Sequence, residues 1–301
     1  MRLPAIESID LNQVDPFFLD CLKLNKKYCI NFLISIGLLR KSSICCNKEM
    51  QLIQRERCID GYSFYCNHCR KYVSVRKGSF FEGSHLDLGT VLKIIYYYSF
   101  DVGNQRFFEN VLLISSKTIV DWKNFIRDVY SNYIIENSQR VGGDGVIVQV
   151  DESKLCKRKN NVGRILANQD QWIVGGIDEN GNVFMTITTK RDLPTLHQII
   201  LNNVERGSII WSDCWKGYRR LDMHGFLHET VNHSRQFVTE TGVHTNRIEA
   251  TWGACKRKFR HITNKSPGLI PSYLSEYIFK KKFSNNVFKK TLDQISNIYT
   301  F

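Results

Sequence analysis

Three acidic residues stand where they could do metal chemistry. Asp151 closes the apolar run Val146-Ile147-Val148-Gln149-Val150, and Asp213 closes Ile209-Ile210-Trp211-Ser212. Glu249 lies in His244-Thr245-Asn246-Arg247-Ile248-Glu249-Ala250-Thr251-Trp252, which reads as a helix. Two carboxylates at strand ends and one on a helix can converge on a pair of divalent cations. Such a pair activates a water or hydroxyl and steadies the leaving oxygen of an in-line phosphoryl transfer. Taken singly, each aspartate also fits a turn cap at a strand end.

The charge balance names a class of phosphodiester. Lys and Arg number 42 against 29 Asp and Glu, a net charge of +13 with a pI near 9.3. That surplus favours a polyanion, with nucleic acid the natural choice. Lys256, Arg257, Lys258 and Arg260 form a basic stripe just after Glu249. Lys157, Arg158, Lys159 and Arg164 form another, read as a loop above the site. Both would hold phosphates without reading sequence.

The elements that must position these groups follow from the pattern. A glycine cluster, Val141-Gly142-Gly143-Asp144-Gly145, marks a boundary. Beyond it, residues 146–150, 172–177 and 183–188 read as strands. The last two form a hairpin across Asp178-Glu179-Asn180-Gly181-Asn182. A helix follows from about Pro194 to Val204, then strands at 209–212 and 229–231, then the helix carrying Glu249. Three strands, helix, strand, helix, strand, helix is the order of the ribonuclease H-like fold: α/β, with a mixed five-stranded sheet and flanking helices. Glu152, next to Asp151 on a strand, should face away from the metals. Trp215 and Trp252 fit the core better than base-stacking platforms. His233 and His244 fit either the site's lining or an ordinary structural role. Cys156, Cys214 and Cys255 have no ligand spacing.

Five of the ten cysteines fall between Cys45 and Cys69. Cys66-Asn67-His68-Cys69 is a C-x-x-C knuckle flanked by aromatic and β-branched residues, as in a zinc ribbon. The partner half is irregular. Cys45 and Cys46 are adjacent and Cys58 stands alone, so a four-thiolate Zn²⁺ site could draw on Cys45 or Cys46, on Cys58, and on Cys66 and Cys69, with His68 a weaker candidate. Reduced structural cysteines are the other reading. Residues 86–135 read as three helices. Leu88, Val91, Leu92, Ile94, Ile95 and Tyr98 share one face, a short helix covers about 105–112, and Ile119, Trp122, Phe125, Ile126 and Val129 recur at helical spacing. A helix-turn-helix module and a plain bundle fit equally.

These readings divide the chain into an N-terminal helical segment (1–44), a zinc-ribbon-like segment (45–82) and a helical module (83–140). A catalytic domain (141–265) and a C-terminal helical tail (266–301) follow. The start of the sequence lacks the basic-then-apolar pattern of a secretory signal, and the longest apolar stretches are about half a membrane span. The expectation is a soluble, intracellular protein with no membrane partner, and a reducing compartment for its thiols.

Several blocks in order bring a family into view. They are Val150-Asp151-Glu152-Ser153, Gly163-Arg164, Trp172-Ile173-Val174-Gly175-Gly176-Ile177, Ser212-Asp213-Cys214-Trp215-Lys216-Gly217-Tyr218, Val231-Asn232-His233-Ser234 and residues 244–252. They resemble the ISXO2-like transposase domain of IS1595-type insertion sequences and of the eukaryotic Merlin elements. Arg76-Lys77-Gly78-Ser79-Phe80-Phe81 and Ser272-Tyr273-Leu274-Ser275-Glu276-Tyr277 extend the likeness to about residues 40–285. The resemblance implies a DNA transposase with Asp151, Asp213 and Glu249 as a DDE triad binding two Mg²⁺ or Mn²⁺ ions. It also implies that Lys256 contacts the DNA backbone. Some family members are described with Asn in the third position, and Asn246 lies one turn from Glu249. Glu249 is the better ligand for a hard cation, leaving Asn246 to support the site or orient a phosphate. The partners implied are double-stranded DNA (terminal repeats and target) and further copies of the chain. The expected place is the nucleus in a eukaryote, with Lys256–Lys258 and Lys280-Lys281-Lys282 as import signals, or the bacterial cytoplasm or nucleoid. A domesticated, non-catalytic DNA-binding protein and a related nuclease that cuts without joining are the alternatives.

Overall fold

A computed structural model describes residues 3–154, 172–232, 238–240, 242–260 and 267–301, the side chains of residues 260 and 267 excepted. The chain forms two compact units, Met1–Tyr133 with Phe283–Phe301, and Ile134–Lys282.

The first unit begins with α1 (Pro16–Leu24) and α2 (Lys26–Ser35), capped by the side chains of Asp15 and Asn25. Leu19, Leu22, Ile30 and Leu33 turn inward. Gly37, with φ of +73°, follows the end of the second helix. A two-stranded hairpin follows, β1 (Ile44–Cys45) with β2 (Lys48–Glu49). Next comes an antiparallel sheet of β3 (Gln51–Gln54), β4 (Tyr62–Tyr65) and β5 (Tyr72–Ser74). The helices α3 (Leu88–Ser99), α4 (Gln105–Leu112), α5 (Ser116–Glu136) and α9 (Val287–Ile298) supply the remaining core, including Ile94, Ile95, Phe108, Ile119, Trp122, Phe288 and Leu292. Between α4 and α5 the chain turns through Leu113, whose φ of +56° is left-handed. Gln105 Nε2 donates across that turn to the Ser116 carbonyl and hydroxyl.

The second unit is a mixed α/β structure. Its sheet comprises β6 (Ile147–Lys154), β7 (Trp172–Asp178), β8 (Val183–Thr188), β9 (Ile209–Asp213) and β10 (Leu227–Val231), in the order β10-β9-β6-β7-β8. The strands β6, β7 and β8 run antiparallel, while β9 and β10 run parallel to β6. The β7–β8 hairpin forms as its turn residues indicate. Asp178 accepts from the backbone and side-chain amides of Asn182, and Gly181 takes a positive φ. In the described chain between β9 and β10, only short 3₁₀ turns appear, at Lys216–Tyr218 and Leu221–His224, where the expected order had a helix.

Alternation gives the sheet two apolar faces. Val148, Val150, Val174 and Ile210 face α6 (Leu193–Asn203), where Leu196 and Ile200 complete a core with Tyr218. Ile173 and Ile177 face α7 (Asn246–Arg260) and α8 (Ile270–Lys282). On α7, Ile248, Trp252, Cys255 and Phe259 form one helical stripe that packs with Ile270, Leu274 and Tyr277. Trp252 can seat deeply because Gly175 lies beneath it. A Cβ on Gly175 would stand 2.8 Å from the indole ring. Among the described residues, no helix is long and apolar enough to cross a membrane.

Candidate active site and cysteine metal centre

The adjacent strands β6 and β9 carry the first two acids. Parallel pairing of β6 with β9 matches Ile147 with Ile209, Val148 with Ile210 and Gln149 with Trp211. The paired ladder ends there, and by strand alternation Asp151 and Asp213, each two residues further on, lie on the face toward α7. Gln149 then fixes the helix. Its Oε1 accepts from the backbone N–H of Arg247 at 2.9 Å and of Ile248 at 3.2 Å. These are orphan donors of a helix's first turn, capped here from a strand 98 residues earlier in the chain. His244 Nδ1 lies 3.1 Å from Gln149 Nε2, and its ring packs edge-on against Trp211. Glu249 therefore starts its helix beside β6, and its Oε1 accepts from Thr245 Oγ1 at 2.9 Å.

Electrostatics records the result. The Asp151 carboxyl is pushed up to about 7, first by burial, then by Glu152, Asp213 and Glu249. Asp213 and Glu249 are thus charge neighbours of Asp151. Asp213 Oδ1 accepts from the Trp215 N–H at 2.9 Å, the local turn that a strand-end aspartate commonly makes. A half-buried carboxyl near like charges is stabilised by a cation, so the residue types fit a divalent ion. The three acids are neighbours, but among the described residues only the cysteine group below is gathered tightly enough to hold an ion as it stands.

Residues 138–283 match the ISXO2-like transposase domain, nearly the whole of the second unit. Over those residues the chain is similar to the ISXO2-like transposases. A stretch of 116 residues is also 26% identical to an uncharacterized transposase-like protein of Haemophilus influenzae, covering 38% of this chain and 92% of that protein.

Around the acids of this domain, Asn246 is exposed at the first position of α7, with its N–H 3.4 Å from His244 Nδ1. Lys256 lies two turns beyond Glu249 on the same helix edge and is half-buried, while Arg257 is exposed. Lys258 is committed elsewhere. Its Nζ pairs at 2.9 Å with Glu276 of α8, which also receives Lys280 at 2.9 Å. Lys157, Arg158, Lys159, Arg164, Cys156 and His233 lie outside the described residues, as does the Arg260 side chain. Trp252 is core, 4% exposed, as expected, and Trp215 is half-buried. Cys255 is buried and its thiol is pushed up to about 12 by burial, while Cys214 is exposed. Sequence reasoning missed Gln149, which sits one strand alternation from Asp151 as a polar residue 2% exposed. A polar residue within the apolar run was the available signal.

In the first unit, Cys45, Cys46, Cys66 and Cys69 bring their sulfurs within 4.8 Å of one another. Two tight turns achieve this. Cys46 and Asn47 take φ of +50° and +57° in the β1–β2 hairpin, and Arg70 takes +60° after the C-x-x-C knuckle. Cys45 Sγ is 3.4 Å from Cys69 Sγ and 3.8 Å from Cys46 Sγ. The Cys66 thiol is pulled down to about 6, led by the Cys69 N–H, with the His68 N–H also contributing. Amides aimed at sulfur favour the thiolate that a metal requires. The ambiguity left by the sequence resolves here. Both Cys45 and Cys46 join the group, while Cys58 turns away and donates to the carbonyls of Arg55 and Tyr62. Four soft donors so placed could hold a structural metal such as Zn²⁺.

Proposed function

We propose that the chain is a DDE-type DNA transposase, in which Asp151, Asp213 and Glu249 hold two Mg²⁺ or Mn²⁺ ions that serve strand cleavage and strand transfer. The observation that carries this reading is the half-buried Asp151, whose carboxyl rises to about 7 through burial and Glu152 first, and then through the charges of Asp213 and Glu249. The transposase domain match and the surplus of positive charge point the same way, toward DNA. The strand order β10-β9-β6-β7-β8, with three antiparallel strands and two parallel ones, supports a ribonuclease H-like fold for this domain.

The ions, when bound, supply Lewis acidity for activating a water in cleavage and a 3′ hydroxyl in joining. The chain's own residues do the rest. Asp151 and Asp213 offer carboxylates from adjacent strands, and Glu249 offers a third from α7, its oxygen oriented by Thr245. Gln149 keeps that helix start against the sheet. Arg257 and Lys256 follow on α7, where cations would take the DNA backbone. The four cysteines would hold Zn²⁺ as a structural ion, and α4-turn-α5 would serve as a helix-turn-helix module. In this reading the protein acts on double-stranded terminal repeats and target DNA as a homo-oligomer.

A cleavage and joining assay on the element's own ends tests the proposal. Mg²⁺-dependent cleavage followed by joining supports it. Cleavage without joining would favour a nuclease, and tight binding without cleavage a domesticated DNA-binding protein.

A further inference from the structure

The ladder between β6 and β9 stops at Gln149 and Trp211, two residues short of Asp151 and Asp213. Beyond that point β6 continues to pair with β7, and β9 with β10. Backbone pairing therefore does not set the spacing of the two aspartates, yet a pair of ions demands a defined spacing.

A side-chain network spans this opening on the opposite face of the sheet. Glu152 points away from the acids, as a neighbour of Asp151 must, and its side chain is 5% exposed. Its Oε2 accepts from the Tyr218 hydroxyl at 2.6 Å, and its Oε1 from Arg191 Nη1 at 2.9 Å. Tyr218 is fully buried in the turn that follows β9. The Arg191 guanidinium lies 3.6 Å from the Trp172 ring centre and 4.6 Å from that of Trp215. Trp215 Nε1 donates to the Arg191 carbonyl at 3.3 Å, and the Trp215 N–H donates to Asp213. Contacts thus run from the neighbour of Asp151 to Asp213 itself. A fourth carboxylate buried beside three others is electrostatically costly, and a buried charge pair adds little net stability.

We infer that Glu152, Tyr218, Arg191 and Trp215 form a clamp of positioning residues that fixes the spacing of Asp151 and Asp213 where the ladder has ended, and so sets their affinity for divalent cations. The inference rests on reading those aspartates as metal ligands. The planar, stacked Arg191 suits the task because its fork is held by two rings before it meets Glu152. Removing a partner that orients a ligand commonly lowers metal affinity by about tenfold or more.

The test is Mn²⁺ binding to the full chain with its cysteine centre loaded with Zn²⁺, read from the electron paramagnetic resonance signal of free Mn²⁺, with circular dichroism confirming the fold. Tyr218→Phe removes one hydroxyl and no charge at pH 7, so a weakening of about tenfold reports geometry rather than lost negative charge. Arg191→Lys keeps the charge and loses the fork. It should weaken binding similarly, and it is the deciding variant if Tyr218→Phe does not fold. Wild-type Mn²⁺ affinity in a folded Tyr218→Phe or Arg191→Lys protein would overturn the clamp and leave the metal site standing. A wild-type protein that binds no Mn²⁺ would overturn the metal-site reading and the clamp with it.

Discussion

The side-chain oxygen of Gln149 caps the backbone N–H of Arg247 at 2.9 Å, joining the strand of Asp151 to the helix of Glu249. It also accepts from Ile248, so Gln149→Ala orphans two donors at the start of α7. The expected cost is about 1–2 kcal/mol of stability, from the lost cap and the exposed donors. Activity should fall further than stability alone explains, because Glu249 is displaced. Thermal unfolding and cleavage rates of the variant, compared at a temperature where both proteins are folded, check this. Unchanged activity would remove Gln149 from the account.

Gly175 pairs with Asp151 and lies under Trp252. In Gly175→Ala, a Cβ 2.8 Å from the indole forces α7 away from the sheet. A loss of about 1–3 kcal/mol in denaturant unfolding is expected, the range of an overpacked core.

The raised Asp151 carboxyl predicts a pH dependence with a definite sign. Its ordinary value of 3.8 moves to about 7, so between those values the folded protein holds a proton that the unfolded chain has released. In metal-free protein this group favours folding least above pH 7, and its contribution declines as pH rises from about 4 to about 7. Asp151→Asn should therefore be more stable than its parent at pH 8, by about 1–3 kcal/mol, with the gap closing near pH 4. Mg²⁺ should raise the parent's Tm more at pH 8 than at pH 6, and raise that of Asp151→Asn much less. Thermal melts across pH, with and without Mg²⁺, give both readings.

Purified protein should carry Zn²⁺ on its four clustered cysteines. Cys66→Ser or Cys46→Ser should lose most of it and loosen residues 44–74 to protease, whereas Cys58→Ser should keep it. Metal analysis and limited proteolysis would expose the error if Cys58→Ser were the variant that lost zinc.

The basic stripe should divide by role. Arg257 is exposed, so Arg257→Ala should weaken DNA binding across sequences and reduce the salt slope by about 1. Lys258 is paired with the buried Glu276, so Lys258→Ala should lower Tm more than it lowers DNA affinity. Salt titrations of DNA binding beside melting curves separate the two.

Local pattern made much of this legible. The five strands, the Asp178–Asn182 hairpin turn, and the α7 stripe of Ile248, Trp252, Cys255 and Phe259 all follow from alternation, turn chemistry and helical spacing. The acids could be named because each closes or starts such an element. What escaped the sequence depends on contacts between distant parts of the chain. Gln149 reads as one polar residue in a strand until α7 arrives above it. Glu152 reads as a residue facing away, and only folding buries it against Tyr218 and Arg191. Lys258 reads as one more cation in a stripe until α8 brings Glu276. Cys45 and Cys46 lack a C-x-x-C spacing, and it takes the left-handed backbone at Cys46 and Asn47 to bring both sulfurs to Cys66 and Cys69.

The most direct test of the central claim is a crystal structure with Mn²⁺, its ions located by anomalous scattering. The account predicts Mn²⁺ held by Asp151 and by carboxylates of Asp213 and Glu249, with the signal lost in Asp151→Asn. Strong Mn²⁺ peaks elsewhere, with these three acids bare at saturating metal, would contradict it.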